Sequence, residues 1–200
     1  GNKAAVNVGV STFIPKPHTP FQWEPMGEMA DIRAKLGYLI EEFRRPGLKL
    51  RWNNPDESVF EGILTRGDRR LAEVVERAWR KGAKFDAWND HFRRDAWYEA
   101  MAEEGLDPAF YTHRRRPIDE VFPWDHIDVA VTRRFLTQDY LMSQRQETRV
   151  DCRHHCFACG ILPKLKDLRR ETPVEAWECP PVTSVGERRG KRAIELPVVG

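Results

Sequence analysis

The chain has 200 residues, of which 40% are hydrophobic and 32% charged, a balance typical of globular domains and not of disordered chains. Its 33 Lys and Arg residues against 31 Asp and Glu leave a formal net charge of +2, which does not predict a nucleic-acid-binding protein. No apolar run reaches transmembrane length, so we expect no membrane partner.

The first fifty residues have the pattern of one unit of an α/β fold. Residues 4–14 alternate and predict a strand, which ends at the prolines of residues 15–20. Apolar side chains recur every three or four positions across 26–44 and predict a helix. Alternation resumes at 48–52 and predicts a second strand. The order strand, helix, strand is typical of a crossover in a parallel sheet.

The middle of the chain is predicted to be mostly helical. Asn54 is a good N-cap for a helix that runs to about residue 64. The stripe within residues 67–82 predicts a second helix, and Trp79 lies on it, which favours core packing for this side chain. Further helices are predicted at 91–104 and after Thr132.

Three of the four cysteines lie within eight residues, in the pattern C-x-x-x-C-x-x-C: Cys152, Cys156 and Cys159. Such crowding favours a metal site in a reducing compartment over a disulfide framework, so we expect a cytoplasmic protein. Thiolates this close can face one ion or cluster, and Gly160 permits the tight turn that such a loop needs. Three free cysteines without metal are the less favoured interpretation.

The fourth ligand and the metal stay open on spacing alone. Cys179 is one candidate ligand, and His154 and His155 are the others. Zinc accepts four cysteines or three with a histidine, while an iron–sulfur cluster fits the same spacing. For Cys179, an unligated thiol is at least as plausible as ligation.

Residues 10–26 read VSTFIPKPHTPFQWEPM, a long and unusual segment. It resembles the close of the catalytic barrel in cobalamin-binding-type radical SAM proteins. The similarity extends over roughly residues 6–162 and includes the cysteine cluster and five further stretches: Glu61-Gly62, Thr65 to Arg70, Ala83 to Trp88, Gly105 to Pro108, and Pro123 to Asp128.

The resemblance implies a parent with an N-terminal cobalamin-binding-like domain, a radical SAM barrel and this extension. According to this resemblance, residues 1–24 contain the last barrel strand and a proline-rich exit. Residues 25–146 form a mostly helical extension, and 147–200 a cysteine segment with a loosely ordered tail. S-adenosylmethionine and possibly cobalamin belong to the parent, and the upstream barrel is the expected partner. We expect no catalysis from this fragment alone.

The resemblance also favours iron–sulfur over zinc at the cysteines. In radical SAM enzymes this spacing holds the [4Fe–4S] cluster that binds S-adenosylmethionine, and the barrel needs about 200 residues after it. Only 41 residues follow Cys159. The expected centre is therefore an auxiliary [4Fe–4S] cluster.

Two other interpretations stay open. In one, the cysteine cluster holds zinc, and residues 145–200, with 11 Lys and Arg against 8 Asp and Glu, contact RNA or a protein partner. In the other, the chain is a structural docking domain without metal or catalysis.

Three further groups of residues favour structural interpretations. Lys16 and His18 follow the first strand, where barrels place active sites, but a rigid proline linker is favoured. Asp125, His126 and Asp128 have side chains suited to acid–base chemistry, but a helix cap with a packed histidine is favoured. Arg114 to Arg116 favour a solvated loop over a phosphate site.

Overall fold

The computed structural model describes residues 5–171 and 179–180, and the predicted loose tail lies largely outside them. The fold is α/β with mostly helices, and the sheet in the described part has two parallel strands and is not a barrel. No described helix combines the length and apolar character needed to cross a bilayer. The predicted segment boundaries at residues 24 and 146 stay predictions.

The chain divides into two compact units. Unit 1 contains the sheet and the first five helices, and unit 2 contains the last three helices and the cysteines. The units comprise Gly1–Pro17 with Gln22–Pro123, and His18–Phe21 with Trp124–Gly200, respectively.

The first part of unit 1 is the predicted strand, helix, strand unit. β1 (Val6–Val10) pairs in parallel with β2 (Leu48–Trp52), and α1 (Met29–Glu42) connects them. β1 is shorter than the predicted strand because Val10 pairs with Trp52, the last residue of β2, so residues 11–14 lie beyond the ladder.

The strand, helix, strand unit formed by β1, α1 and β2 exposes apolar surface on both strands and on the helix. α1 contains no buried residue, although its sequence has an apolar stripe, and no residue of β1 or β2 is buried either. Val6 and Trp52, at opposite ends of the ladder, are both exposed. Parallel sheets are ordinarily covered on both faces, so this uncovered surface is unusual.

Seven further α-helices follow within the described residues, and local capping chemistry accounts for where three of them begin. The Asn54 side chain accepts a hydrogen bond from the Asp56 amide at 3.0 Å, as predicted, and Thr132 caps its helix through the Phe135 amide at 3.3 Å. Asp107 caps a short helix that was not predicted. The helices are α2 (Pro55–Thr65), α3 (Leu71–Arg80), α4 (Arg94–Glu103), α5 (Pro108–Thr112), α6 (Arg133–Gln144), α7 (Ile161–Lys164) and α8 (Lys166–Glu171).

The core of unit 1 forms where α2 to α5 pack together. Phe60 on α2 lies at its centre, with the rings of Phe92, Trp97 and Tyr98 at centroid distances of 5.6, 5.5 and 5.0 Å. The expectation of core packing for Trp79 is wrong, since this side chain is 57% exposed. The buried stripe of α3 is narrower than its sequence suggests and consists of Leu71, Val74 and Ala78.

Two neighbouring residues of α2 test this core. Ile63 is 1% exposed and Leu64 is 47% exposed. We expect Ile63→Ala to lower the free energy of unfolding by about 2–5 kcal/mol, because it leaves a cavity in the core. Leu64→Ala should change it by less than about 1 kcal/mol. Urea unfolding followed by circular dichroism measures both values, and equal losses would contradict this core.

Candidate metal centre

The cysteine loop of unit 2, residues 151–160, begins with a turn built on Asp151. Its carboxylate accepts hydrogen bonds from the backbone amide of Arg153 at 2.8 Å and from the Arg153 guanidinium at 2.8 and 3.0 Å. Its carbonyl accepts from the His154 amide at 2.9 Å. The Arg153 guanidinium holds the pKa of the Asp151 carboxyl well below its usual range. This turn carries Cys152, which is exposed.

Phe157 anchors the middle of the loop, between the second and third cysteines. Its side chain is buried, and the Arg149 guanidinium lies 4.7 Å from its ring centroid. The same guanidinium lies 5.2 Å from the ring of Phe135 and donates a hydrogen bond to Asp139. Because Phe135 and Asp139 both belong to α6, this helix fixes the position of the loop.

Gly160 ends the loop in a conformation that favours glycine, as the sequence predicted. Its φ is +110°, and an added Cβ would lie 2.6 Å from Thr132 Cγ2 and 2.9 Å from the Ala130 carbonyl oxygen. The preceding carbonyl, of Cys159, accepts a hydrogen bond from the Thr132 amide at 2.8 Å. The third cysteine is therefore held directly against the beginning of α6.

The carboxylates beside His126 form ion pairs with basic side chains. Arg133 donates to Asp125 at 2.6 Å. Asp128 accepts from Lys164 and from the Ala130 amide, and the hydrogen bond from Lys164 is the main reason that its pKa lies below its usual value. His126 is exposed, so the expected packed histidine is wrong. These carboxylates have a structural role, since they hold the loop before α6 and the end of α7.

The fourth cysteine interacts with the other three. The pKa of the Cys179 thiol is raised by desolvation, then by the charges of Cys156 and Cys159, by a hydrogen bond with Cys156, and by Cys152. All four are free thiols. The structure therefore brings Cys179, which lies 20 residues after Cys159, within interaction range of the whole cluster.

The donor chemistry of this cluster fits a metal, although its geometry in the structure is not that of a metal site. Across residues 5–171 and 179–180, no three His, Cys, Asp or Glu side chains are set as ligands of one ion. Four thiols nevertheless form the donor set of Cys₄ zinc sites and of iron–sulfur clusters. Among the histidines, His154 is exposed and His155 lies 6.5 Å from Phe157 between ring centroids. Cys179, by contrast, forms a hydrogen bond with Cys156.

A separate cavity of about 370 Å³ lies in unit 1, at the carboxyl ends of β1 and β2. Its polar lining residues are Ser11, Thr12, Lys35 and Asn53, and the remainder of the lining is mainly apolar. The active-site candidates predicted near this edge are not part of it. Lys16 pairs with Glu61, and His18 belongs to unit 2.

The Arg114 to Arg116 run is not the solvated loop that its composition predicts. Arg116 is 3% exposed, and Arg114 is bound by Glu120 at 2.6 and 2.7 Å. Arg66 is buried more deeply still, at 1% exposure, and no pattern in the sequence predicts its burial. Other arginines lie close to both residues in the sequence. Arginine-rich segments are normally exposed, so composition places these side chains at the surface and does not predict their burial.

Comparison with known proteins assigns no family. No family model matches the chain, and no solved structure matches it. Among curated proteins, an uncharacterized protein of Methanocaldococcus jannaschii, MJ0966, is 28% identical over 71 residues. The match spans 36% of this chain and only 16% of the length of that relative.

Gly160 provides a test of how the loop is held. We expect Gly160→Ala to weaken local protection of the Thr132 amide by about 1–3 kcal/mol, because the backbone conformation and the contact with residues 130–132 both disfavour a Cβ. Hydrogen exchange measured by NMR reports this amide. The control is Gly37→Ala in α1, where an added Cβ meets nothing within 4 Å. Unchanged protection in Gly160→Ala would contradict the described contact.

Proposed function

We propose that this chain is the C-terminal part of a radical SAM iron–sulfur enzyme, and that Cys152, Cys156 and Cys159 bind an auxiliary [4Fe–4S] cluster. The four-cysteine ligand set is supported by the hydrogen bond between the Cys179 and Cys156 thiols, with Cys159 and Cys152 near enough to act on Cys179. The radical SAM assignment rests on the resemblance of residues 10–26. Cys179 then supplies the fourth thiolate. Its position could not be obtained from the spacing of the first three.

We further propose that residues 1–24 contain the last strand of a barrel. The half-buried and exposed apolar residues of the strands and of α1 in unit 1 support this proposal. β1 is parallel to its neighbour, and both strands and α1 lack buried residues. A parallel strand in a barrel has its two faces covered by helices and by the barrel interior. A barrel in the parent protein would cover this apolar surface.

The four-thiolate donor set favours one role for the auxiliary cluster. When bound, the cluster would supply reversible one-electron transfer. If four cysteines ligate it, no iron keeps an open position for substrate, so electron relay is favoured over substrate coordination. The chain's own contribution is positional: α6 holds the second and third cysteines through the contacts of Phe157 and the Cys159 carbonyl. S-adenosylmethionine, and possibly cobalamin, would bind elsewhere in the parent.

Anaerobic reconstitution with iron and sulfide tests the cluster directly. We expect a brown protein that binds iron and sulfide in equal amounts, since four soft thiolates are the preferred ligands of this cluster. Cys179→Ser should lose most of the bound iron while remaining folded, because this side chain is exposed. His155→Ala is the matched control and should keep its iron. Iron content, sulfide content and visible absorption are the measurements.

Three results would contradict this assignment. A colourless protein that retains equimolar zinc would replace the iron–sulfur cluster by a Cys₄ zinc site. Full iron binding by Cys179→Ser would remove Cys179 from the ligand set. A chain that binds no metal under either condition would favour the structural docking domain.

The zinc-containing RNA module is the second candidate, and the exposed basic residues of α8 favour it. Lys166 and Arg170 are exposed on this helix. Arg170, however, lies 3.4 Å from Asp167, and Arg153 pairs with Asp151, so part of the basic charge is already balanced. RNA binding through these residues would weaken steeply with salt concentration. A flat salt dependence, or no binding, would contradict this module.

A further inference from the structure

A group of charged side chains lies around the carboxyl end of α2 in unit 1. We call it the arginine cluster. It contains four guanidiniums and two carboxylates: Arg66, Arg70, Arg114 and Arg116 with Asp68 and Glu120. All six belong to the segment Gln22–Pro123 of unit 1.

Arg66 is the most buried member of the arginine cluster. Its Nη1 donates a hydrogen bond to the Glu24 carbonyl. Its Nε and Nη2 are buried and have no hydrogen-bond partner among the described residues. Since a guanidinium taken out of water needs an acceptor for each of its N–H groups, these two nitrogens indicate an acceptor that the described residues do not supply.

The six side chains of the arginine cluster carry more positive than negative charge. Glu120 binds Arg114 through both oxygens and lies 3.8 Å from Nη1 of Arg116. Asp68 is bound by Arg70 at 2.7 to 3.2 Å. Four guanidiniums against two carboxylates leave an excess of two positive charges. The pKa of Arg66 is lowered to about 10, first by burial and then by the charges of Arg116 and Arg114.

Tyr111 contributes a further polar atom to the cluster. Its ring packs in the core and its hydroxyl oxygen is buried without a hydrogen-bond partner in the described part of the chain. Arg70 lies 5.8 Å from the Tyr111 ring centroid, and Arg116 interacts electrostatically with the same residue. A hydroxyl donor therefore lies beside the excess positive charge.

We propose that the arginine cluster binds a phosphate group. A phosphate dianion matches the excess of two positive charges, whereas a carboxylate would balance only one. Its oxygens also provide several acceptors for Nε and Nη2 of Arg66 and for the Tyr111 hydroxyl, in the paired geometry that guanidiniums favour. Arg114 and Arg70 are partly exposed and give the group access to solvent. This site is independent of the cysteine cluster.

Thermal unfolding of the chain in inorganic phosphate tests the site. We expect phosphate to raise the unfolding temperature in a saturable manner, because a ligand that binds only the folded state stabilises it. Chloride at equal ionic strength is the control for screening. Glycerol phosphate, tested in parallel, distinguishes a site for esterified phosphate from one that admits only the free ion, and saturable stabilisation by either supports the proposal.

Three variants connect the effect to the cluster. Arg66→Met should weaken phosphate binding about tenfold or more, since it removes a charge-assisted pair of donors. Tyr111→Phe should also weaken binding, yet leave stability without phosphate unchanged or higher, because it removes an unsatisfied hydroxyl. Arg77→Met is the matched control on α3, where the guanidinium pairs with Glu103 and Glu104 at the surface. It should bind phosphate like the wild type.

Two outcomes would overturn the proposal. One is a wild-type chain that phosphate stabilises no more than chloride does. The other is an unchanged phosphate response in both Arg66→Met and Tyr111→Phe. If Arg66→Met fails to fold, Arg66→Lys and Tyr111→Phe keep the packing, and isothermal titration of phosphate into the folded chain compares their affinities with that of the wild type.

Discussion

Two buried guanidiniums join three segments of unit 1 that share no sheet or helix. Arg66 donates to the Glu24 carbonyl, the backbone amide of Arg116 donates to the Trp23 carbonyl at 2.9 Å, and its Nη2 donates to the Arg66 carbonyl at 3.1 Å. Two hydrogen bonds from guanidiniums and one from a backbone amide, all to backbone carbonyls, thus join segments that no shared strand pairing connects. Tyr111 of α5 belongs to the core formed by α2 to α5 and interacts electrostatically with Arg116, so the core and this polar junction are adjacent.

Unit 2 relies on a different kind of constraint. Its described part buries few large side chains, namely Trp124, Leu136, Tyr140 and Phe157. One glycine in the left-handed region, one backbone hydrogen bond and one stacked arginine hold the cysteine loop on α6. Small units with so little apolar core commonly gain stability from a metal, whose binding energy contributes directly to folding. A metal at the cysteines would therefore have a structural consequence in addition to any redox role.

Local chemistry made the helices and strands of this chain predictable. Burial depends on contacts between distant segments and was not predictable from the sequence. β2, the Asn54 cap and the Thr132 cap follow from residues within four positions of each other. The burial of Arg66 and the exposure of Trp79 depend on which distant segments pack nearby, which no local pattern contains. Cys179 lies between these cases: its residue type suggested a ligand, but only the fold brings it to the other three cysteines.

A comparison of α1 with α2 shows why the sequence pattern of α1 still carries information. Both helices have an apolar stripe, yet α2 buries five residues and α1 buries none. The apolar stripe of α1 is only half-buried, as Ile32, Leu36 and Leu39 show. Apolar area left exposed forgoes about 25 cal/mol per Å² of stabilisation, so this face could bury more surface than it does here. The stripe of α1 lies beside two parallel strands whose apolar residues are equally uncovered. The three elements together present a half-buried apolar surface, which is the feature that the proposed barrel would account for.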